Sequence, residues 1–384
     1  MAGSFTGAAK NIFRLFIHID STKIETILIG QTKNELTSRV KKHGIKVIII
    51  PFPPALNVYD KKLLKFNMVH LFRTLVAIWK YNLLLVKFFK TTKPQIIWAD
   101  NIRTFFSVYV ASKLSGCKII WNIWSEPKGK IAWLLHRLGL LLADVINIEY
   151  YTQGQKLFGN LANYGFFKRK IVPLYTGVSD FESLSGSNIR EELNLSSTDI
   201  LIIMASTISS LKGQIDLLKA MDILVKTNSN IHLLLAGKPL ETHPDSMAYY
   251  SSLKQYTNEN KLSHNVHFLG WRTDIRDIFQ SVDIYISGSY SESFPDAVRE
   301  AMLFGKSVVV TNVGGTFELV KVGVSGFLFE PGDIESLVQH IKQLIQNPRF
   351  RESMGKEGKL IIEKRFSTKA YAKNFEDMVL NICQ

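Results

Sequence analysis

Short apolar, β-rich runs alternate with helix-period segments along almost the whole chain, and this alternation restricts the fold more than any other feature. In the first half the runs are ETILIG (25–30), KVIII (46–50), QIIWA (95–99), KIIWNI (118–123), DVINI (144–148) and KIVPL (170–174). In the second half they are DILIIMAS (199–206), IHLLLAG (231–237), VHFLG (266–270), DIYIS (283–287), SVVVT (307–311) and GFLFE (326–330). Helical periodicity lies between them, at 68–90, 213–226, 248–261, 294–303 and 333–346. A strand covered on both faces reads as an unbroken apolar run, and a helix between successive strands returns the chain for a parallel neighbour. The pattern predicts doubly wound α/β sheets, whose ligands bind at the carboxyl ends of the strands. A chain of 384 residues suits two domains of ordinary size. The polar stretch YTGVSDFESLSGSN (175–188) reads as the linker between them.

Composition removes several classes. With only Cys117 and Cys383, neither a disulfide framework nor a cysteine-rich zinc site is available, which suits a reducing compartment. The N-terminus shows no signal-peptide pattern, and no stretch of 18 apolar residues is free of charge, so a cytoplasmic location without a membrane span is expected. Residues 1–180 hold 26 Lys+Arg against 9 Asp+Glu, whereas residues 181–384 hold 21 against 24. A first half of net +17 joined to a second of net −3 points to an anionic partner for the first, or to a merely solubilising surface. No RNP-like or zinc-finger pattern accompanies the charge, so nucleic acid is not expected as a partner.

The densest chemistry lies in SGSYSESFPDAVREAMLFGKSVVVTNVGGTFELV (287–320). Pro295 fits the first turn of a helix that Ser291 or Ser293 can cap. Glu292 precedes that helix and Glu300 follows eight residues later; a fully helical interval would separate them by about 12 Å. That exceeds the roughly 5–9.5 Å between carboxylates that flank one glycosidic bond, so the two are read as holding separate ends of an extended ligand. Gly314 and Gly315, between a strand and a helix, allow close backbone approach to a ligand, and a helix start favours an anion. Lys212-Gly213 places an ammonium at another strand end, where a phosphate fits. His264 and His267 stand three apart without a nearby third ligand, and no D-x-D pair exists, so no metal site is expected. Gly305-Lys306-Ser307 lacks the earlier glycine of a P-loop, Glu300 standing in its place.

SESFPDAVREAM (291–302) resembles the Glu-seven-residues-Glu signature of retaining glycosyltransferases of family 4, the group 1 glycosyl transferases. The resemblance continues through SSLKGQIDLLKAM (209–221), VHFLGWRTDI (266–275), SVDIYISGS (281–289), NVGGTFELV (312–320) and VGVSGFLFEPGD (322–333). The first half is similar only in FTGAAKN (5–11), its strand pattern and YTGVSDFE (175–182). The resemblance implies the GT-B fold, two doubly wound Rossmann-like domains facing a central cleft. It implies an N-terminal acceptor-binding domain (1–178), a nucleotide-sugar donor-binding domain (179–366) and a C-terminal helix (367–384) crossing back to the first domain. It also implies a metal-independent transfer with no cofactor beyond the donor substrate. Glu300 would hold the ribose hydroxyls, as a carboxylate can by accepting two hydrogen bonds. Glu292 would lie by the donor sugar with backbone N–H groups near Ser293, Phe294 and Pro295, and Lys212 would neutralise the diphosphate. Gly314, Gly315 and Thr316 would line the phosphate or sugar pocket, and Gly270 and Trp271 would meet the base.

The chain also departs from the family. Thr207 stands where an arginine usually shares the diphosphate, replacing a charged fork with one neutral donor. NIWSEP (122–127) offers Trp124, Ser125 and Glu126 where many members carry a histidine near the reacting carbon; Glu126 is the candidate there. Only Met1 and Ala2 precede Gly3 of the glycine-containing loop, so either the start is truncated or the first sheet lacks a strand. In MVHLFRTLVAIWKYNLLLVKFFK (68–90), Arg73, Lys80 and Lys87 recur every seven residues beside an apolar face with Phe72, Trp79 and Phe88. Such a helix either lies in an anionic membrane interface or packs in the core with its cations reaching out. The reading is a retaining glycosyltransferase that moves a hexose-type sugar to a glycan or lipid-linked acceptor in bacterial surface-polysaccharide synthesis, working at the inner face of the membrane. The alternatives are a nucleotide-sugar epimerase of the same fold class and a non-catalytic nucleotide-sugar-binding partner.

Overall fold

The computed structural model describes residues 7–53, 68–124, 130–159, 170–178 and 184–384. The chain divides into two compact units, Met1–Gly177 with Thr368–Gln384, and Val178–Ser367.

The first unit carries β1 (Ile27–Gly30) and β2 (Lys46–Ile49), paired in parallel, and a four-stranded parallel sheet of β3 (Ile96–Ala99), β4 (Lys118–Ile123), β5 (Val145–Ile148) and β6 (Ile171–Pro173) in that order. Alternate residues of β4 serve opposite layers. Ile119, Trp121 and Ile123 face a core built with Tyr81, Leu85 and Phe89 of helix Met68–Thr92, Phe105 of helix Ile102–Leu114 and Leu140 of helix Lys130–Leu142. Ile120 faces the other layer, where Leu15 meets Tyr371, Phe375 and Val379 of the C-terminal helix Thr368–Cys383.

The second unit is one six-stranded parallel sheet. Its strands are β7 (Ile200–Ala205), β8 (Ile231–Ala236), β9 (Val266–Gly270), β10 (Ile284–Ser287), β11 (Ser307–Thr311) and β12 (Gly326–Phe329), in the order β12-β11-β10-β7-β8-β9. β8 and β11 are buried at every position, which is why they read as continuous apolar runs. The strand order reverses between β7 and β10, the switch point of a doubly wound sheet. The linker is tied to this unit: Asp277 accepts from the Ser185 and Gly186 N–H groups at 3.1 and 2.7 Å.

Candidate active site

Two loops meet at the switch point. Ala205 ends β7, and the chain runs through Ser206 and Thr207 into a 3-10 turn, Ser210–Lys212, before helix Gln214–Leu224. Ser287 ends β10, and the chain runs through Gly288 and Glu292 into helix Asp296–Leu303. Glycine permits the crossing: Gly213 has φ 69°, and a Cβ there would stand 2.0 Å from the Gly288 carbonyl oxygen. The Tyr290 N–H donates to Leu211 O at 2.8 Å, and the Tyr290 hydroxyl donates to Asp216 Oδ2 at 2.8 Å.

The ion pair follows from that crossing. Lys212 Nζ donates to Glu292 Oε1 at 2.5 Å, and the Ser289 hydroxyl donates to the same oxygen at 2.8 Å. The two side chains are 23% and 17% exposed, sheltered enough to strengthen the pair yet reachable by a ligand. They border a cavity of about 180 Å³ lined also by Ser206, Thr207, Tyr285, Ser287, Pro295, Asp296 and Ala297. Thr207 is exposed, and the Gln214 amide fixes its loop by donating to Ser206 Oγ and Thr207 O at 3.1 and 3.0 Å. Burial pushes the Tyr285 phenol upward, and the Glu292 and Glu300 carboxylates push it further, so it stays a neutral hydroxyl. The arrangement offers one ammonium, neutral hydroxyls and two carboxylates around a small cavity, a set that suits an anion joined to a polyol.

The sequence-predicted residues divide into groups. Thr207, Lys212, Glu292 and Pro295 line the cavity. Glu300, part-buried, lies within electrostatic reach of Tyr285. Gly270, at φ 67°, ends β9 with Trp271 68% exposed beyond it, and neither joins the cavity lining. Ser293 accepts through its carbonyl from the Gly315 N–H at 2.7 Å. Glu126 lies outside the described residues.

Four expectations are corrected. Pro295 is the N-cap of helix Asp296–Leu303 and no side chain caps it, so neither Ser291 nor Ser293 does so. Pro295 also has no N–H, so of the three backbone groups expected there only those of Ser293 and Phe294 exist. The close approach at Gly314 is made by the chain itself: a Cβ there would stand 2.1 Å from Glu292 O and 2.6 Å from Ser293 O. Thr316 is buried, with its hydroxyl donated to Thr311 O at 2.8 Å and its N–H to Val313 O at 3.2 Å, so it shapes the turn rather than offering a ligand donor.

Sequence reasoning missed Tyr285, Asp216, Gln214 and Arg299. Arg299 is fully buried; it donates to Phe294 O at 3.1 Å and to Asp296, and its guanidinium lies 4.5 Å from the Phe294 ring centroid. An arginine inside an apolar helical stretch was the available signal. His232, on β8, brings Nδ1 to 3.1 Å from His267 Nε2, a neighbour the histidine spacing could not reveal. Among the described residues no group of three or more His, Cys, Asp or Glu is placed to hold a metal.

Residues 186–361 match the family model of the Glycosyl transferases group 1. The chain is 25% identical to the capsular polysaccharide biosynthesis glycosyltransferase CapM of Staphylococcus aureus, over 65% of this chain and 64% of the relative. It is 26% identical to the lipopolysaccharide 1,2-N-acetylglucosaminetransferase of Salmonella typhimurium, over 55% of this chain and 56% of the relative. The matches thus span less than two thirds of these relatives. Among solved structures, Anabaena Alr3699/HepE in complex with UDP superposes with a TM-score of 0.79 at 19% identity, covering 99% of this chain and 98% of that one. The apo lipopolysaccharide outer core galactosyltransferase WaaB superposes with a TM-score of 0.70 at 19% identity, over 99% and 97%. The fold is GT-B, and the resemblance read from 209–333 holds across the second unit.

Proposed function

We propose that this chain, whose second unit matches the group 1 glycosyl transferases, is a retaining glycosyltransferase of bacterial surface-polysaccharide synthesis. It takes a hexose-type sugar from a nucleoside-diphosphate donor and passes it to a glycan or lipid-linked acceptor. The observation that carries the reading is the Lys212–Glu292 pair at the β7/β10 switch point, inside the matched region. In this reading the second unit binds the donor, the first binds the acceptor, and the reaction takes place in the cytoplasm. The diphosphate draws Lys212 away from Glu292, and Glu292 then turns its free oxygen to the sugar. Glu300 receives the ribose hydroxyls. A leaving diphosphate oxygen takes the acceptor's proton on the face the sugar leaves, while Lys212 stabilises the growing negative charge. Because the lysine meets that charge, transfer should survive EDTA.

A second reading, a non-catalytic nucleotide-sugar binder, draws on Thr207, which gives the leaving group one neutral donor in place of an arginine. One experiment addresses both. Thermal shift against UDP, GDP and their sugars should show stabilisation by one base, since a ligand of the folded state raises its stability by mass action. Incubation with that donor should then release nucleotide and, slowly, free sugar. No shift with any nucleotide would sink the donor site. A shift without turnover would favour the non-catalytic reading, and a changed sugar still joined to its nucleotide would favour an epimerase.

A further inference from the structure

We propose that the outer surface of the three helices on one face of the first unit's sheet is a docking surface for an anionic membrane. The inference stands on this surface alone and is independent of the reaction above. Helices Met68–Thr92, Ile102–Leu114 and Lys130–Leu142 all contribute to the core beneath Ile119, Trp121 and Ile123, so their outward sides form one layer. Across these three segments the sequence places eight Lys and Arg and no Asp or Glu.

The helix Met68–Thr92 turns part of its apolar surface outward. Phe72, Trp79 and Leu83 are 68%, 63% and 49% exposed, and their spacing of seven and four puts them on one line of the helix. Arg73, Lys80 and Lys87, also exposed, run in a parallel line one residue on. The helix is packed in the core on one side only: Tyr81, Leu85 and Phe89 fill the core from the side opposite Phe72 and Trp79, and Phe88, expected on the same apolar face as those two, packs against the core instead. Helix Lys130–Leu142 repeats the arrangement. Leu134, Leu138 and Leu141 are 67%, 43% and 62% exposed, with Lys130 and Arg137 exposed beside them. None of these five cations forms an ion pair among the described residues.

Charge selects the occupant. A second copy laid on this face would set like charges against each other over an apolar contact, a costly arrangement. An anionic bilayer surface accepts both features: cations meet headgroup phosphates, and Phe72 and Trp79 enter the interface, where aromatic rings are favoured. No described helix is long and apolar enough to cross a membrane, so the contact is one of surface docking.

Co-sedimentation of the full chain with vesicles tests the proposal. Binding is expected to vesicles of phosphatidylcholine mixed with phosphatidylglycerol at low salt, to be weak with phosphatidylcholine alone, and to fall as salt rises. The triple change Arg73→Gln, Lys80→Gln, Lys87→Gln should weaken binding roughly a hundredfold. The pair Phe72→Ser and Trp79→Ser should weaken it with the cations intact. All five side chains are exposed, so melting temperature and the shift given by the stabilising nucleotide should be unchanged. Equal binding to neutral vesicles, no binding to anionic vesicles at low salt, or a concentration-dependent dimer abolished by Phe72→Ser and Trp79→Ser would overturn the proposal. A lost nucleotide shift in the unmodified chain would instead count against the donor site and leave the docking result standing.

Discussion

Lys212 and Glu292 are 80 residues apart in sequence, and each has half of its chemistry supplied by the other. Glu292 Oε1 already receives Lys212 and Ser289, which leaves its second oxygen as the acceptor for a hydroxyl. Removing the lysine takes away the ammonium proposed above to meet the diphosphate and leaves a sheltered carboxylate with one neutral donor. Loss of one charge-assisted contact costs about 1.5–3 kcal/mol, or roughly 10- to 150-fold in rate. Lys212→Ala and Glu300→Ala should each lower kcat/KM for the donor by that factor with an unchanged melting temperature; wild-type rates in both would remove the donor assignment. A second residue-scale effect is set by pH. Burial lowers the His267 imidazole to about 4 and lowers His232 beside it, so between about 6.5 and 4 the unfolded chain binds more protons than the folded one. The stability these histidines contribute is present above about 6.5 and is lost as pH falls through that window. His267→Gln should flatten that part of the stability curve, and an unchanged slope in acid melts would refute the assignment.

At the scale of elements, the site is made by loops that touch backbone to backbone. Gly213 against Gly288 joins the β7 and β10 loops, and Gly314 against Glu292 and Ser293 joins the β11 loop to them. Gly270 has a similar φ, 67°, but nothing lies within 4 Å of a Cβ added there. The three positions separate conformational strain from steric conflict. Gly270→Ala should cost only the left-handed penalty, about 1–2 kcal/mol. Gly213→Ala and Gly314→Ala carry the same penalty and must also push a backbone carbonyl aside, so both should melt well below Gly270→Ala and lose nucleotide binding. Equal melting temperatures for all three would show that the loops yield easily. These contacts also explain what the sequence could convey. β8 and β11 were legible because a strand buried on both faces leaves a continuous apolar run, whereas the half-buried β1, β2, β3 and β6 were legible as short β-branched runs set between helix-period segments. Lys212, Glu292 and Glu300 drew attention through their places beyond strand ends, and their expected roles came from the resemblance of 209–221 and 291–302 to the family. Why Gly314 must be glycine, why Arg299 sits in a helix core and why Thr316 serves its own turn depend on which strands are neighbours, and periodicity carries no strand order.

At the scale of the whole molecule, the chain's last helix completes its first unit. Helix Thr368–Cys383 lays Tyr371, Ala372, Phe375, Met378 and Val379 against Leu15, Ile120, Val145 and Leu174, with the Phe375 and Trp98 ring centroids 5.1 Å apart. Its Glu376 accepts from the Asp20 N–H at 2.8 Å and pairs with Lys23 at 3.4 Å, bonds that span more than 350 residues of sequence. One face of the β3–β6 sheet is therefore covered by residues from the far end of the chain, whereas the second unit is built from one continuous stretch. Truncating a buried phenylalanine to alanine costs about 3–5 kcal/mol, a large part of the about 5–15 kcal/mol that typically stabilises a domain. Phe375→Ala should accelerate amide hydrogen exchange in β3, β4 and β5 by more than a hundredfold, because each 1.4 kcal/mol of lost stability opens a globally protected amide about ten times more often. Amides in β7 and β8 should keep their protection, and a stabilising nucleotide should still slow their exchange. Equal acceleration in both units would mean that the chain unfolds as one cooperative body. Unchanged exchange in β3–β5 would mean that the last helix covers the sheet without stabilising it.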